Sequence, residues 1–247
     1  YPIVITNPTS CANLFPMEAG YFDFVIFDES SQLKVEDTYT SLLRGKQKIV
    51  AGDLHQLPPM DYFSTNTISS DDDDQSSPVQ SKSLLEYCIS NLFEEYYLDI
   101  HYRSKHPKLI EFSNNAFYKS RLISLPPIKE YKPIEFYQVH GSFIKRVNKE
   151  EAMSVVAYIK NNINGHSSVG VATFSIVQMD EILNQIAIES TKDTKFYLKM
   201  KELNSNGFFV KNLENIQGEE RDIMIISTTY GINAEGKFLE FLGPINT

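Results

Sequence analysis

The sequence predicts an α/β fold built on parallel sheets, and three observations support this prediction. Short apolar runs rich in β-branched and aromatic residues recur along the chain and end at Gly, Asp, Asn or Pro. Several of these runs are apolar on both faces, as the central strands of a parallel sheet are. Segments with apolar residues at helical spacing lie between them, and alternating strands and helices indicate α/β architecture.

Each element is justified by its local pattern. The apolar runs predict strands at residues 3–5, 24–27, 48–51, 134–139, 168–174, 207–210 and 223–227. The helix predicted at 150–162 has apolar side chains at Met153, Val156 and Ala157, which share one face. Similar spacing predicts helices at 82–93 and 177–188.

Composition indicates a soluble protein of the cell interior. The 247 residues are 42% hydrophobic and 22% charged, which is ordinary for a globular domain. Cys11 and Cys88 are too few for a disulfide framework and suit a reducing compartment. No apolar run approaches the length that spans a bilayer. We therefore expect a cytoplasmic protein with no membrane association.

Charge is unevenly distributed along the chain. The net charge of −9 argues against indiscriminate nucleic-acid binding. Residues 1–100 hold five Lys and Arg against 16 Asp and Glu, whereas residues 103–146 hold nine against three. The basic middle permits a local anion-binding surface, although charge alone favours an ordinary solvated surface.

Residues 64–83 form a polar, acidic segment of low complexity. Its composition predicts a flexible insertion. A metal site at Asp71–Asp74 is the less favoured alternative.

Two carboxylates follow the apolar run in FDFVIFDESSQL, residues 22–33. A buried strand would hold Asp28 and Glu29 at the carboxyl edge of a parallel sheet, where open α/β sheets bind ligands. Asp28 there suits Mg²⁺, and Glu29 suits the activation of a water that attacks a phosphate. The alternative is a helix N-cap and first-turn acid, and the pair alone does not decide between them.

A second strand ends in the same way in IVAGDLHQLPP, residues 49–59. The strand is followed by Gly52 and Asp53, and then by Gln56. A Gln side chain can hydrogen-bond both a phosphate oxygen and a water. A strand followed by a Pro-punctuated turn is the structural alternative.

Five motifs in order make this sequence resemble the superfamily 1 DNA and RNA helicases. DESSQ (28–32) is similar to the family's Mg²⁺ and general-base motif, and GDLHQLPP (52–59) to its third motif. LDIHYRSKHPKLIEFSNNAFY (98–118) resembles the fourth motif. VGVATFSIVQMDEIL (169–183) resembles a Thr-Pro-Tyr segment, with Phe174-Ser175 in place of Pro-Tyr. VKNLENIQGEERDIMIIST (210–228) resembles the fifth motif.

The resemblance implies two RecA-like P-loop NTPase lobes with ATP and Mg²⁺ bound between them. Residues 1–100 would be the later part of the first lobe, and residues 101–247 most of the second. It also implies movement on single-stranded DNA or RNA, driven by ATP hydrolysis.

The resemblance further implies roles for individual residues. Asp28 would hold Mg²⁺, Glu29 would activate water, Gln56 would sense the γ-phosphate, and Arg103 would neutralise transition-state charge from the second lobe. The expected nucleotide contacts are Gly52, Asp53, Gly218 and Glu220, and the expected nucleic-acid contacts are Ser10 and Thr173.

The phosphate-binding loop GxxxxGK[ST] has one near match. GINAEGKF, residues 231–238, fails at Phe238, which cannot ligate Mg²⁺, and we expect it to form a turn. The loop itself is expected before Tyr1 and a final arginine motif after Thr247, so that residues 1–247 alone would hydrolyse ATP poorly.

Two other functions stay open. One is a helicase-like scaffold that binds nucleic acid without turnover, against which the intact Asp28, Glu29, Gln56 and Arg103 argue. The other is an ATPase switch that moves no nucleic acid.

Overall fold

The computed structural model of the chain describes residues 3–56, 58–59, 83–233 and 235–239. The chain divides into two compact units, Tyr1–Glu135 and Phe136–Thr247. The predicted insertion at 64–83 lies outside the described residues except for Ser83. The Ser83 hydroxyl accepts a hydrogen bond from the Glu86 amide and caps a helix.

The first unit contains two small parallel sheets with helices around them. Its elements are α1 (Pro8–Leu14), β1 (Phe22–Phe27), α2 (Val35–Arg44), β2 (Gly45–Val50), α3 (Leu84–Ser90), β3 (Ile100–His101), α4 (Lys108–Ala116) and β4 (Ile123–Ser124). Strand β1 pairs in parallel with β2, from Phe22 opposite Gly45 to Phe27 opposite Val50. Strand β3 pairs in parallel with β4. The carboxyl ends of β1 and β2 therefore meet at one edge.

Only one face of β1 is buried. Phe27 packs with Leu42 and Leu84 in the core of this unit, because successive side chains of a strand point to opposite faces. On the other face, Phe24 is 57% and Ile26 67% exposed. The expectation that this strand is buried therefore holds for one face only, since among the described residues it pairs with β2 alone and no layer covers its second face.

Arg44 at the end of α2 is almost fully buried, and among the described residues its guanidinium has carbonyl partners and no carboxylate partner. Its guanidinium donates to the carbonyl oxygens of Pro16 (3.0 Å), Thr40 (2.9 Å), Phe15 (3.1 Å) and Ala12 (3.4 Å). These carbonyls come from α2 itself and from the end of α1 and the chain after it. A single side chain therefore ties α1 to α2.

The segment after residue 100 belongs to the first unit. Arg121 forms an ion pair with Asp99, and β4 pairs with β3. The side chain of Tyr118, which follows α4, also donates a hydrogen bond to Asp53. Along the chain, the first unit ends at Glu135. The expected lobe boundary between residues 100 and 101 stays a prediction.

The second unit is built on a three-stranded parallel sheet in the order β8-β7-β9. Its elements are β5 (Phe143–Ile144), β6 (Val147–Asn148), α5 (Lys149–Asn162), β7 (Val169–Thr173), α6 (Ile176–Lys192), α7 (Thr194–Ser205), β8 (Phe209–Asn212), β9 (Ile223–Ser227), β10 (Gly231–Ile232) and β11 (Phe238–Leu239). Strand β7 is buried at every residue. Its core includes Val171, Ile159, Ile182 and Phe196, contributed by β7 and by α5, α6 and α7.

The α/β class is confirmed, but two of the predicted strands are wrong. Residues 3–5 and 134–139 form no strand, and Ile5 is 96% and Phe136 85% exposed. A strand needs a neighbour to satisfy its backbone, and among the described residues these runs have none. The predicted helices are confirmed as α3, α5 and α6, whereas α1, α2, α4 and α7 were not predicted.

Candidate functional site

The ends of β1 and β2 are joined by hydrogen bonds. The Ala51 amide donates to the Phe27 carbonyl (2.8 Å), and the Ser30 amide donates to the Ala51 carbonyl (2.9 Å). The Ser30 hydroxyl donates to the same carbonyl (2.7 Å). The two chain segments that carry the predicted phosphate-binding residues therefore lie side by side.

Gly52 lies against the first of these segments. A Cβ at this position would lie 2.7 Å from Ser30 Oγ and 3.0 Å from the Ser31 amide nitrogen. The amide nitrogen is part of the backbone and cannot move aside alone. Only glycine therefore permits this close approach of the two segments.

Asp28 and Glu29 both extend into solvent at this edge. The Asp28 carboxylate accepts a hydrogen bond from the Glu29 amide (3.0 Å). Glu29 has a left-handed backbone with φ +50°, which is uncommon for a residue with a Cβ. It precedes a short 3₁₀ turn, Ser30–Gln32, but its side chain caps none of the turn's amides. In the alternative, Asp28 would be the N-cap and Glu29 an acid of the first turn; instead Glu29 itself occupies the N-cap position, so the alternative does not describe this turn.

Asp53 organises the loop after β2. Its carboxylate accepts hydrogen bonds from the His55 amide (3.0 Å), the Gln56 side-chain amide (3.2 Å) and the Tyr118 hydroxyl (2.5 Å). Burial, followed by the hydrogen bond to Asp53 and its charge, raises the pKa of Tyr118 well above the usual phenol value. Sequence reasoning missed Tyr118, although the Phe-Tyr that ends the fourth motif was a signal.

Arg103 lies in the same unit as Asp28 and Glu29, and its side chain is exposed. His101 is nearby, and one of its ring nitrogens contacts the Ser104 hydroxyl at 2.7 Å. Burial, and secondly the positive charge of Arg103, lower the pKa of His101. His101 therefore lies at the end of β3, where its ring contacts the chain that carries Arg103.

Gly218 and Glu220 lie on a turn before β9 in the second unit. Gly218 has φ +79°, a conformation that favours glycine. Glu220 is exposed. Its neighbour Glu219 forms ion pairs with Lys211 (2.6 Å) and Arg221 (3.1 Å). The hydrogen bond from Lys211 is the main cause that lowers the pKa of Glu219.

The two expected nucleic-acid contacts have different surroundings. Ser10 is half-buried in the first turn of α1, where its amide donates to the Asn7 side chain (2.7 Å). Thr173 ends β7 and is fully buried. Its hydroxyl donates to the Ser175 carbonyl (2.9 Å), so the hydroxyl is already engaged within the second unit.

A buried polar network that the sequence did not reveal lies at the carboxyl end of β9. Gln178 accepts from the Asn148 amide (2.9 Å) and donates to the Asn148 carbonyl (3.1 Å) and the Ser227 hydroxyl (3.2 Å). Ser227 in turn donates to Glu151 (2.6 Å), which also accepts from the Thr229 amide (3.0 Å). The network fixes α5 and α6 against the sheet.

The near match GINAEGKF forms a turn. Strands β10 and β11 pair antiparallel, and the Asn233 side chain accepts from the Lys237 amide (2.9 Å) between them. An antiparallel hairpin lacks the helix N-terminus that cradles phosphates in a P-loop. The expectation of a turn is confirmed.

The carboxylate edge fits a nucleotide-bound Mg²⁺ rather than an all-protein metal cage. Over the described ranges, no group of three or more His, Cys, Asp and Glu side chains could hold a metal ion. Mg²⁺ commonly takes one or two carboxylates and completes its shell with waters and phosphate oxygens, and Asp28 offers one such carboxylate. Among the described helices, none is both long and apolar enough to cross a bilayer.

Comparison with known proteins points to one family. The model of the AAA domain family (AAA_12) matches residues 80–242. The chain is 31% identical to "Uncharacterized ATP-dependent helicase MG140" of Mycoplasma genitalium, over 96% of this chain and 22% of that protein. Its homolog in Mycoplasma pneumoniae is 30% identical, with the same coverage.

A more distant relative is archaeal. "Uncharacterized ATP-dependent helicase MJ0104" of Methanocaldococcus jannaschii is 25% identical over 91% of this chain and 34% of that protein. The chain thus spans about a fifth to a third of the length of these relatives. These matches confirm the resemblance to superfamily 1 helicases.

Proposed function

Because this chain belongs to the AAA domain family, we propose that it is part of an ATP-dependent helicase. In this proposal, the phosphates of ATP bind at the carboxyl edge of β1 and β2. The observation that carries this proposal is the junction of the two strand ends. The Ser30 amide and hydroxyl both donate to the Ala51 carbonyl. This junction brings Asp28 and Glu29 next to Gly52 and its loop.

The roles follow from the chemistry of the side chains at this edge. Asp28 would hold Mg²⁺, which supplies charge neutralisation at the phosphates. Glu29 accepts a proton from the attacking water. Gln56 reports the presence of the γ-phosphate, and the loop at Gly52 and Asp53 supports it. ATP and Mg²⁺ are the cofactors that this donor set suits.

Arg103 and two residues of the second unit have the remaining roles in the proposed ATP hydrolysis. The exposed guanidinium of Arg103 neutralises the charge that develops on the transferred phosphoryl group. Gly218 and Glu220 contact the ribose or phosphates. We also propose that the parallel sheets of both units are cores of RecA-like lobes.

Single-stranded DNA or RNA is the proposed track. The two Mycoplasma relatives are named ATP-dependent helicases, and helicases move on nucleic acid. Ser10 and the backbone amides near Thr173 are the proposed contacts, since backbone amides and hydroxyls commonly bind phosphates. ATP hydrolysis then moves the protein's contacts along the nucleic-acid strand.

Glu29→Gln in the full-length protein tests the proposal. The amide cannot accept the proton from water, so we expect turnover to fall at least about 100-fold while ATP affinity is retained. Single-turnover hydrolysis and binding of a fluorescent ATP analogue measure the two quantities. Glu36→Gln, an exposed acid in the first turn of α2, is the matched control.

The same assay separates the alternatives. Normal turnover in Glu29→Gln would remove Glu29 from the proposed role. ATPase activity that single strands do not stimulate would indicate a switch without translocation. Strand binding without any ATPase activity in the unaltered protein would indicate a scaffold.

A further inference from the structure

We propose that Tyr118, two residues after α4, is a positioning residue that sets the orientation of the Gln56 side chain through Asp53. This inference rests on the proposed function, because Gln56 is the residue assigned there to sense the γ-phosphate. It adds a residue from outside the strand ends to that site. It also gives the Phe-Tyr that ends the fourth motif a physical task.

The first step is the contact between Tyr118 and Asp53. The Tyr118 hydroxyl donates to Asp53 Oδ2 at 2.5 Å, across 65 residues of sequence. Both residues are half-buried. A phenol that donates to a carboxylate makes a short, charge-assisted hydrogen bond, which holds the carboxylate in one rotamer.

The second step runs from Asp53 to Gln56. The same oxygen, Oδ2, accepts the Gln56 side-chain amide at 3.2 Å. The other oxygen, Oδ1, accepts the His55 amide at 3.0 Å. With the carboxylate fixed, the amide nitrogen of Gln56 is directed at Asp53, and this sets the direction of the amide oxygen too.

The third step is aromatic packing around the loop. The His55 ring lies 5.8 Å from the Phe117 ring, and 5.2 Å from the Tyr118 ring in an edge-on arrangement. Both aromatic side chains that follow α4 therefore contact the loop that holds Gln56. The packing limits the movement of the loop, while the Tyr118 hydroxyl determines the orientation of the Asp53 and Gln56 side chains within it.

Hydrogen bonds in the chain around Tyr118 hold this residue in position. The Asn114 side chain donates to the Leu122 carbonyl and accepts from the Leu122 amide, both at 2.9 Å. This pair of bonds closes the turn that follows Tyr118. The turn then leads into β4, which pairs with β3. Helix α4 before Tyr118 and the turn into β4 after it therefore hold Tyr118 in place, so that its hydroxyl can orient Asp53.

Tyr118→Phe in the full-length protein is the direct test. The ring and its packing remain, but the hydroxyl is lost, so Asp53 and Gln56 gain alternative rotamers. We expect the kcat for ATP hydrolysis to fall about 10- to 100-fold with little change in KM, because misplacement of a catalytic group acts on the reaction step.

Tyr96→Phe is the matched control. The Tyr96 hydroxyl also donates to a carboxylate at 2.5 Å, that of Glu94, but its side chain is 81% exposed. We expect kcat and KM of this variant to equal those of the unaltered protein. An equal loss of kcat in both variants would overturn the role of Tyr118.

Asp53→Asn and the double variant test the path. If Tyr118 acts through Asp53, the two substitutions share one effect, and the double variant is no slower than Asp53→Asn alone. Additive losses would overturn the path through Asp53.

Hydrogen exchange gives a readout that does not need ATPase activity. In Tyr118→Phe, the amide of His55 should exchange about tenfold faster, because the carboxylate that accepts it is no longer held. Unchanged exchange would overturn the positioning role. The proposed function fails separately: in that case Glu29→Gln turns over normally, whatever Tyr118→Phe does.

Discussion

Glu29 shows at the scale of one residue how the candidate site departs from ordinary backbone geometry. Its backbone is left-handed, with φ +50°, and its carboxylate accepts a hydrogen bond from the Gln32 side-chain amide at 3.4 Å. The adjacent Asp28 carboxylate accepts the Glu29 amide, which helps to hold this conformation. Strained residues of this kind concentrate at functional sites, where the surrounding structure maintains them.

Replacement of Glu29 by Gly and by Ala measures this strain. Glycine adopts a left-handed backbone readily, whereas alanine does not, so we expect Glu29→Gly to have a free energy of unfolding about 1 kcal/mol above that of Glu29→Ala. Urea unfolding followed by circular dichroism measures the difference.

The same pair of substitutions at Glu36 provides the control. Glu36 lies in helix α2, where Gly is about 1 kcal/mol less favourable than Ala. The order of the two variants should therefore reverse between the positions. The same order at both positions would show that Glu29 carries no backbone strain.

At the scale of the element, Arg44 connects α2 to α1 through hydrogen bonds. In α1, Cys11 is the buried hydrophobic residue, and the guanidinium of Arg44 reaches the chain at the end of that helix. A buried guanidinium satisfied only by carbonyls depends on its fork of donors. Lysine has the charge without this geometry.

Arg44→Lys should therefore destabilise the first unit. The ammonium cannot reach four carbonyls, and unsatisfied buried groups cost about 3 kcal/mol in the free energy of unfolding. Urea unfolding with a probe in the first unit measures the loss. Lys48→Arg, on the exposed part of β2, is the control, because it exchanges the same two residue types in the opposite direction at an exposed position. A loss below about 0.5 kcal/mol, the range of surface substitutions, would contradict the prediction.

At the scale of the whole molecule, the described residues form two cores. Phe27, Leu42, Leu84 and Cys88 form one core within the first unit. The other lies within the second unit, around β7, α5, α6 and α7. Because each core draws on residues of its own unit, damage to one is expected to leave the other folded.

Ile182→Ala tests this independence. Ile182 is fully buried in the core of the second unit, and its truncation should cost about 2–5 kcal/mol. Hydrogen exchange should rise in the second unit while protection in the first is unchanged. Ile176→Ala on the same helix, where the side chain is 58% exposed, is the control. Loss of protection in both units would show a single cooperative structure.

The local sequence determined the elements that depend on neighbouring residues. Asp28-Glu29 and Gly52-Asp53 follow apolar strands, and the structure joins these strand ends at one edge. The cap of α5 is equally local, since the Asn148 side chain accepts the Glu151 amide. Strand periodicity and helix caps act over a few residues, so the sequence reveals them directly.

Only the tertiary structure decided which residues far apart in the chain share a task. Tyr118 reaches Asp53, Gln178 reaches Asn148 and Ser227, and Arg44 reaches the end of α1. The tertiary structure also left one face of β1 exposed and residues 134–139 outside any strand. Such contacts depend on how elements pack, and packing is a property of several segments at once, which no local pattern encodes.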